Sequence, residues 1–315
     1  MRAYFIALVA SFAAPLSSPE GDTMAIEAPS GAVGGACILF TGDILLDRGV
    51  RKTIEHHGTD YLFTQEMDSL LKASDVVVGN LECPATTVKA PKQKRFIFRG
   101  EPIWLSALKE HGFTHLNMAN NHSVDQGRDG LTDTRENIIR AGMTPVGAGK
   151  DMSEAAKAVL LTQQPRKVWL IASLRMALEN YAYLPHKASV NQEATADIIK
   201  RIRQIKQKDP QAVVIVSLHW GAEHTLQPVA SQRLEAHRLV NAGADALICH
   251  HTHTLQTIEH YQGRDIYYSI GNFIFDQQKP LNSKACMVKV SVTKDNVTTT
   301  PIPIEITKCR PRLTR

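Results

Sequence analysis

Five short apolar runs in this chain each finish on a side chain able to hold a metal or move a proton. "ACILFTGD" ends on Asp43, "SDVVVGNLE" on Asn80 and Glu82, and "FTHLNMANNH" on Asn120, Asn121 and His122. Further on, "QAVVIVSLHWGAE" reaches His219 and Glu223, and "ADALICHHTH" reaches His250, His251 and His253. Open α/β sheets gather their sites at the carboxyl ends of their strands, so five such endings predict one convergent polar site. Asp43 and Glu82 offer carboxylate oxygens, Asn121 an amide oxygen, and His219, His251 and His253 imidazole nitrogens. That mixture suits Mn, Fe or Zn better than Ca or Mg, and one or two divalent ions are expected. In an extended segment His251 and His253 project to the same side, which brings two ligands to one centre. Two ions about 3.5 to 4 Å apart would activate a water and clamp a phosphoryl group. His122, beside Asn121, is placed to protonate a leaving oxygen or to stabilise transition-state charge.

Each fragment also has a plainer explanation. "TGD" alone reads as a turn, and "NNH" alone as an Asx-turn that caps the following helix. "HHTH" resists such a reading, because crowded imidazoles repel one another once protonated and are seldom kept without a ligand. His56 and His57 follow no apolar strand and read as surface; His237 reads as packing or surface within a helix. Glu223 and Asn272 stay open between site support and structure. Lys92, Lys94 and Arg95, in "KAPKQKRFIF", read as a solvated loop.

The elements that must position these residues are legible as alternation. Three times a helical stretch ends at glycine and yields to a short apolar run: "WLSALKEHG" into "FTHLNMAN", "LTDTRENIIRAG" into "MTPVG", and "RLEAHRLVNAG" into "ADALICH". In the second, Leu131, Ile138 and Ala141 share a helical face and Gly142 fits a left-handed cap. Helices alternating with short strands imply an α/β layer architecture. After Tyr261 the chain turns β-rich, which predicts a mixed sheet or a second, more antiparallel one.

Composition frames the rest. With 315 residues, 43% hydrophobic and 21% charged, the chain has ample length for a large core. A net charge of +5, spread along the sequence, suits an anionic substrate without demanding one. Nucleic-acid binding is not expected, since no fold motif and no aromatic platform beyond Phe96 and Phe98 is seen. The run from Ala3 to Leu16 after Arg2 is too short to span a bilayer and resembles a secretory leader. Residues 1–23 are therefore read as a signal peptide and 24–35 as a flexible lead-in, with export to periplasm or cell surface. Translation from Met24 would instead leave a cytoplasmic phosphatase or phosphodiesterase. Membrane contact is expected only through the N-terminal segment. The five cysteines form no CxxC pair, and Cys37 and Cys249 read as small buried hydrophobes.

"FTGDILLDR", "GNLECP", "RFIFRGEP", "ANNHSVDQGRDGL", "SLHWGAE", "HHTHTLQ" and "YYSIGNFIFD" occur in one order between Ala36 and Asp276. In that order they resemble the CapA-type capsule biosynthesis proteins, the poly-γ-glutamate synthesis group, which is similar to a divergent branch of the calcineurin-like metallophosphoesterases. The resemblance implies a metallophosphoesterase-like α/β fold, a four-layer α/β/β/α sandwich in one domain over 36–307, with 308–315 as a tail. It places the first metal aspartate on Asp43, the bridging carboxylate on Glu82, the amide ligand and its neighbouring histidine on Asn121 and His122, and the later histidines on His219, His251 and His253. Leu45 stands where the D-x-H opening has its histidine, which leaves one ion short of a ligand. Glu82 replaces an aspartate, Ser123 follows His122 where an acid is common, and Cys249 and Thr252 replace a glycine and a proline. Arg48 and Arg99 suit a phosphate or a polymer carboxylate, which a guanidinium grips at two points. The resemblance implies a metal-dependent phosphoester hydrolase in capsule or surface-polymer synthesis, or an accessory protein binding an anionic polymer, either one within a capsule synthesis complex.

Overall fold

Side-chain alternation along the buried strands sets the order of layers. In the strand Ala36–Ile44, Ile38 and Phe40 face one core and Leu39 the other; in Val76–Leu81, Val76 and Val78 oppose Val77. Two such strands side by side cannot be solvated on either face, so each face needs its own covering layer. The computed structural model describes residues 34–277 and 279–314. The expected leader and nearly all of the lead-in lie outside the described residues.

The first sheet has eight strands. Ala36–Ile44, Val76–Leu81, His115–Asn117 and Thr144–Val146 run parallel, while Lys284–Val292, Val297–Thr307 and Arg310–Leu313 add antiparallel strands on the other side of Ala36–Ile44. The β-rich C-terminal segment thus completes a mixed sheet. The second sheet has six strands, with Val168–Leu174, Val213–His219, Ala246–Ile248 and Arg264–Tyr267 parallel at its centre. Between the sheets, Ile38, Phe40, Val78 and Val288 meet Leu170, Val213, Ile215 and Ile248 in one buried cluster. Outside the first sheet the helices Arg48–His57, Gln65–Lys72, Trp104–Glu110 and Gly127–Arg140 bury Ile54, Met67, Leu108 and Ile138. Outside the second, Thr195–Lys208 and Ala230–Asn241 bury Ile198, Ile202, Ala236 and Leu239. Each such isoleucine, leucine or methionine side chain contributes roughly 1.5–3 kcal/mol of transfer free energy. The layers run α/β/β/α, as the resemblance implies.

Gly112, Gly142 and Gly243, which close the three helices singled out by pattern, all have positive φ. One boundary is corrected. The stretch read as a tail from 308 carries the strand Arg310–Leu313, whose Leu313 pairs with Ile304 and whose Arg310 side chain reaches the Phe63 carbonyl. All five cysteines are buried and free, as the hydrophobe reading of Cys37 and Cys249 requires.

Candidate metal centre

A β-bulge decides where Asp43 points. Ile38 and Phe40 pair with Val76 and Val78, but the register then shifts so that Asp43, not Gly42, pairs with Asn80. The extra residue reverses the pleat and turns Asp43 inward, toward the second sheet. Gly42 is needed there, because a Cβ would come within 2.1 Å of the Gly271 carbonyl oxygen. On the other side, His219 ends its strand opposite His250, and both face the first sheet. Asp43, Asn80 and Glu82 from one sheet therefore meet His219 and His250 from the other at one end of the inter-sheet core.

His251 and His253 arrive differently from expectation. The strand Ala246–Ile248 ends before them, and both take positive φ, 100° and 56°, within a turn. The turn, not an extended period-two segment, folds their imidazoles back: His251 Nδ1 lies 3.1 Å from His219 Nε2, and His253 Nδ1 lies 3.1 Å from an Asp43 oxygen. Two overlapping donor sets result. Glu82, His219 and His251 form one, Asp43, Glu82 and His253 the other, and Glu82 is common to both. Asn121 Oδ1 joins the first at 2.9 Å from His219 Nε2.

Glu82 carries the test of whether a cation fits. Its carboxylate is wholly buried, and neither oxygen has a hydrogen-bond partner among the described residues. Its Oε1 instead faces His219 Nε2 at 3.6 Å and His253 Nε2 at 3.7 Å. Buried polar groups are almost always satisfied, and an orphaned carboxylate ringed by imidazoles is what a divalent ion would satisfy. The donors present fit such an ion.

Electrostatics agree with that reading. Burial, and then the Asp43 charge, push the Glu82 carboxyl well above its ordinary range. Burial opposes ionisation of Asp43 too, but contacts with His250 and His253 overcome it and hold that carboxyl well below its usual value. His253 is pushed up to about 9, burial being outweighed by Glu82 and Asp43. Burial lowers His251 to about 4 and depresses His219 strongly, so both present neutral lone pairs.

His122 is buried with its Nδ1 2.9 Å from Asp125, beneath the Phe98 ring. Asn120 shapes this corner: its side-chain oxygen accepts the backbone N–H groups of His122 and Ser123, and its amide nitrogen donates to the Leu81 carbonyl. Asn120 thus makes the Asx-turn expected of "NNH", but it does not cap the following helix, Gly127–Arg140, which starts after Gln126 without a side-chain cap. Arg48 lies at the rim, its guanidinium over Phe98 and Phe275 and its Nε 3.0 Å from Asp276. Phe275 in turn packs on His253. Arg99 is engaged elsewhere, with both Nη atoms on Glu101 and one also on the Thr86 carbonyl. Glu223 is half-exposed beside His224 and adds negative field at Glu82, His251 and His253. Asn272 is buried; its Oδ1 lies 3.0 Å from His253 Nδ1 and its amide donates to Gln277 and to the Asn282 carbonyl.

Pattern reading passed over four residues. Asn80, whose amide donates to Asp43 at 2.8 Å, and His250, 3.4 Å from Asp43, stand at strand ends already noted but were given no role. Asp125 lies inside "NNHSVDQG" without an apolar run to flag it. Lys94 corrects the solvated-loop reading: its side chain is 3% exposed, and its ammonium pairs with Asp125 at 2.8 Å.

A sequence model of the family described as "Bacterial capsule synthesis protein PGA_cap" matches residues 37–277. The chain belongs to that family. Among PGA_cap relatives, the PGA biosynthesis protein CapA of Bacillus subtilis (strain 168) is 34% identical over 276 residues, covering 86% of this chain and 72% of its own length. The capsule biosynthesis protein CapA of Bacillus anthracis is 33% identical over 289 residues, covering 87% and 68%. The family match spans every donor named above, from Asp43 to Asn272.

Proposed function

We propose that this PGA_cap member is a metal-dependent phosphoester hydrolase serving synthesis of a capsule or surface polymer of the poly-γ-glutamate type. The observation that carries the reading is Glu82, a buried carboxylate without a protein partner, shared by two donor sets. Asp43, Glu82 and His253 would hold one divalent ion, and Glu82, Asn121, His219 and His251 a second. Lewis-acid polarisation of a phosphoryl oxygen and activation of a water are the chemistry that Mn, Fe or Zn supplies in such a donor set. The chain's own residues do the rest. His122 is held at the edge of the cluster to give a proton to the leaving oxygen or to stabilise charge on it. Arg48 uses Nε and Nη2 on Asp276, and its Nη1, without a partner among the described residues, is available to an anionic substrate. Asn272 and Asn80 orient His253 and Asp43, as buried hydrogen bonds orient metal ligands generally.

The names of the two Bacillus relatives support a substrate made during capsule synthesis, either a phosphoester intermediate or the anionic polymer itself. We place the chain outside the cytoplasm, on the leader-like run at its N-terminus, and in contact with other members of a polymer synthesis complex. No described helix is long and apolar enough to cross a membrane.

Elemental mass spectrometry of the purified chain, followed by hydrolysis of bis(4-nitrophenyl) phosphate with Mn or Zn, tests the reading. Near-stoichiometric metal that is lost in His251→Ala, with turnover that follows metal content, is the expected result. A chain that takes up no Mn or Zn, or binds metal and turns over no phosphoester, would replace it with an accessory role in binding polymer.

A further inference from the structure

Beside the donor cluster, but outside it, runs a chain of three buried side chains: Lys94, Asp125 and His122. An imidazole without an orienting partner exchanges between two tautomers, and only one of them aims a given nitrogen correctly. The residue after His122 is Ser123, whose hydroxyl donates to Asn120 and does not serve the ring. Asp125 serves it instead. Its Oδ2 lies 2.9 Å from His122 Nδ1 and also accepts the Phe98 backbone N–H at 2.8 Å. Its Oδ1 accepts from Lys94 Nζ at 2.8 Å.

Lys94 is the unexpected member. A lysine with its side chain only 3% exposed has given up most of its hydration, which is tolerated only against a close counter-charge. Asp125 is that counter-charge, and the same ammonium donates to the Asn121 carbonyl at 3.1 Å. One cation therefore fastens both the carboxylate behind His122 and the backbone of Asn121, whose side chain meets His219. A purely mechanical tie between a loop and the sheet needs neither this depth nor both partners.

We infer that Lys94 and Asp125 are positioning residues that keep one proton of His122 fixed on Nδ1, so that Nε2 is the nitrogen that takes up a second proton and passes it to the leaving oxygen, the last step resting on the hydrolase reading above. A carboxylate only accepts hydrogen bonds, so the nitrogen facing Asp125 must be the one that carries hydrogen. His122 Nε2 has no hydrogen-bond partner among the described residues and is the atom left for substrate. Lys94 fixes which carboxylate oxygen faces which partner. An amide at 125 that gives its oxygen to the Lys94 ammonium turns its nitrogen to His122, which moves the ring proton to Nε2 and leaves the Phe98 N–H without its acceptor.

Long-range proton–nitrogen correlation spectra of the nitrogen-15-labelled, zinc-loaded full chain test this, with the His122 signal assigned by its loss in His122→Gln. Wild type is expected to show Nδ1–H and Asp125→Asn to show Nε2–H. Lys94→Arg should retain the wild-type pattern, while in Lys94→Met an Asp125 no longer tied at Oδ1 turns away from the ring and both tautomers are populated. Asp125→Asn should keep its zinc and lose about 10²–10⁴-fold in turnover of bis(4-nitrophenyl) phosphate. Should Lys94→Met fail to fold, the near-isosteric Asp125→Asn carries the test alone. An Nε2–H signal without Nδ1–H in wild type, or a tautomer unchanged in Asp125→Asn, overturns the inference. The expected tautomer switch in a chain without phosphodiester turnover would keep the positioning role and remove the hydrolase reading.

Discussion

Glu82 separates metal binding from folding at the scale of a single side chain. In the metal-free protein it is a carboxyl stripped of water and hydrogen bonds, which burial and the Asp43 charge keep from ionising. Burying an unsatisfied polar group costs about 1–3 kcal/mol, more when it is charged. Glu82→Gln is therefore expected to lose metal by elemental analysis without lowering the metal-free melting temperature. A lower metal-free melting point would mean the carboxylate has a partner in solution. His115 supports a separate prediction, in acid. Burial, reinforced by Lys109, lowers its imidazole from 6.5 to about 4. The unfolded chain then binds a proton that the folded chain refuses, so stability falls as pH drops below 6.5 and the loss is complete near 4. The depressed value corresponds to a loss of about 3 kcal/mol. Denaturant melts across that range should show a shallower acid limb for His115→Gln than for wild type. At this scale the residues of the two candidate donor sets were readable in the sequence, because each stands at or just beyond the end of an apolar run. Lys94 was not, because a lysine in "KAPKQKR" looks solvated until its partner, 31 residues away, is known.

Between residue and molecule, two elements do work that their sequences barely advertise. The bulge in Ala36–Ile44 turns Asp43 inward, and Gly42 lets the backbone at Gly271 and Asn272 approach. Gly42→Ala puts a methyl into backbone that cannot move like a side-chain tip. We expect a loss of about 1–3 kcal/mol, the usual size for overpacking, and weaker metal binding as Asp43 is displaced. Thermal melts with and without Mn would show both effects; unchanged metal affinity would mean that Asp43 does not depend on the bulge. Alternation of polarity gave the strands but could not give this, since a register shift depends on the neighbouring strand. The terminal strand Arg310–Leu313 escaped for a different reason. "RPRL" has two arginines, a proline and one apolar residue, so nothing in its period argues for a strand. Its pairing is supplied by Val297–Thr307, and it covers Ile304 and Ile306. Truncation after Thr307 is expected to lower the melting temperature and promote aggregation through the exposed edge, measured by light scattering during a thermal ramp. A truncated chain that melts like wild type would return residues 308–314 to the status of a tail.

An α/β layer architecture was legible because helices alternate with short apolar strands, and its four-layer order only through the family resemblance; the meeting of the two sheets at one polar end was legible only as five endings of the right chemistry. That meeting has a thermodynamic consequence for the whole molecule. Asp43 belongs to the first sheet and Glu82 directly follows one of its strands, while His219 ends a strand of the second and His251 and His253 follow another of its strands. A cation held by these donors would tie the two sheets together at the end where polar side chains replace the apolar inter-sheet core. Binding to the folded state alone stabilises it by RT ln(1 + [M]/Kd), about 2.7 kcal/mol at a hundredfold excess over Kd. The melting temperature should therefore climb with the logarithm of Mn or Zn concentration and fall again with a chelator, in wild type but not in Glu82→Gln. Because the donors span both sheets, amide exchange should slow together in Val76–Leu81 and Val213–His219, not in one sheet alone. Protection confined to the turn at His251–His253 would show a cation held locally by the histidines, and would remove the bridging role assigned to Glu82.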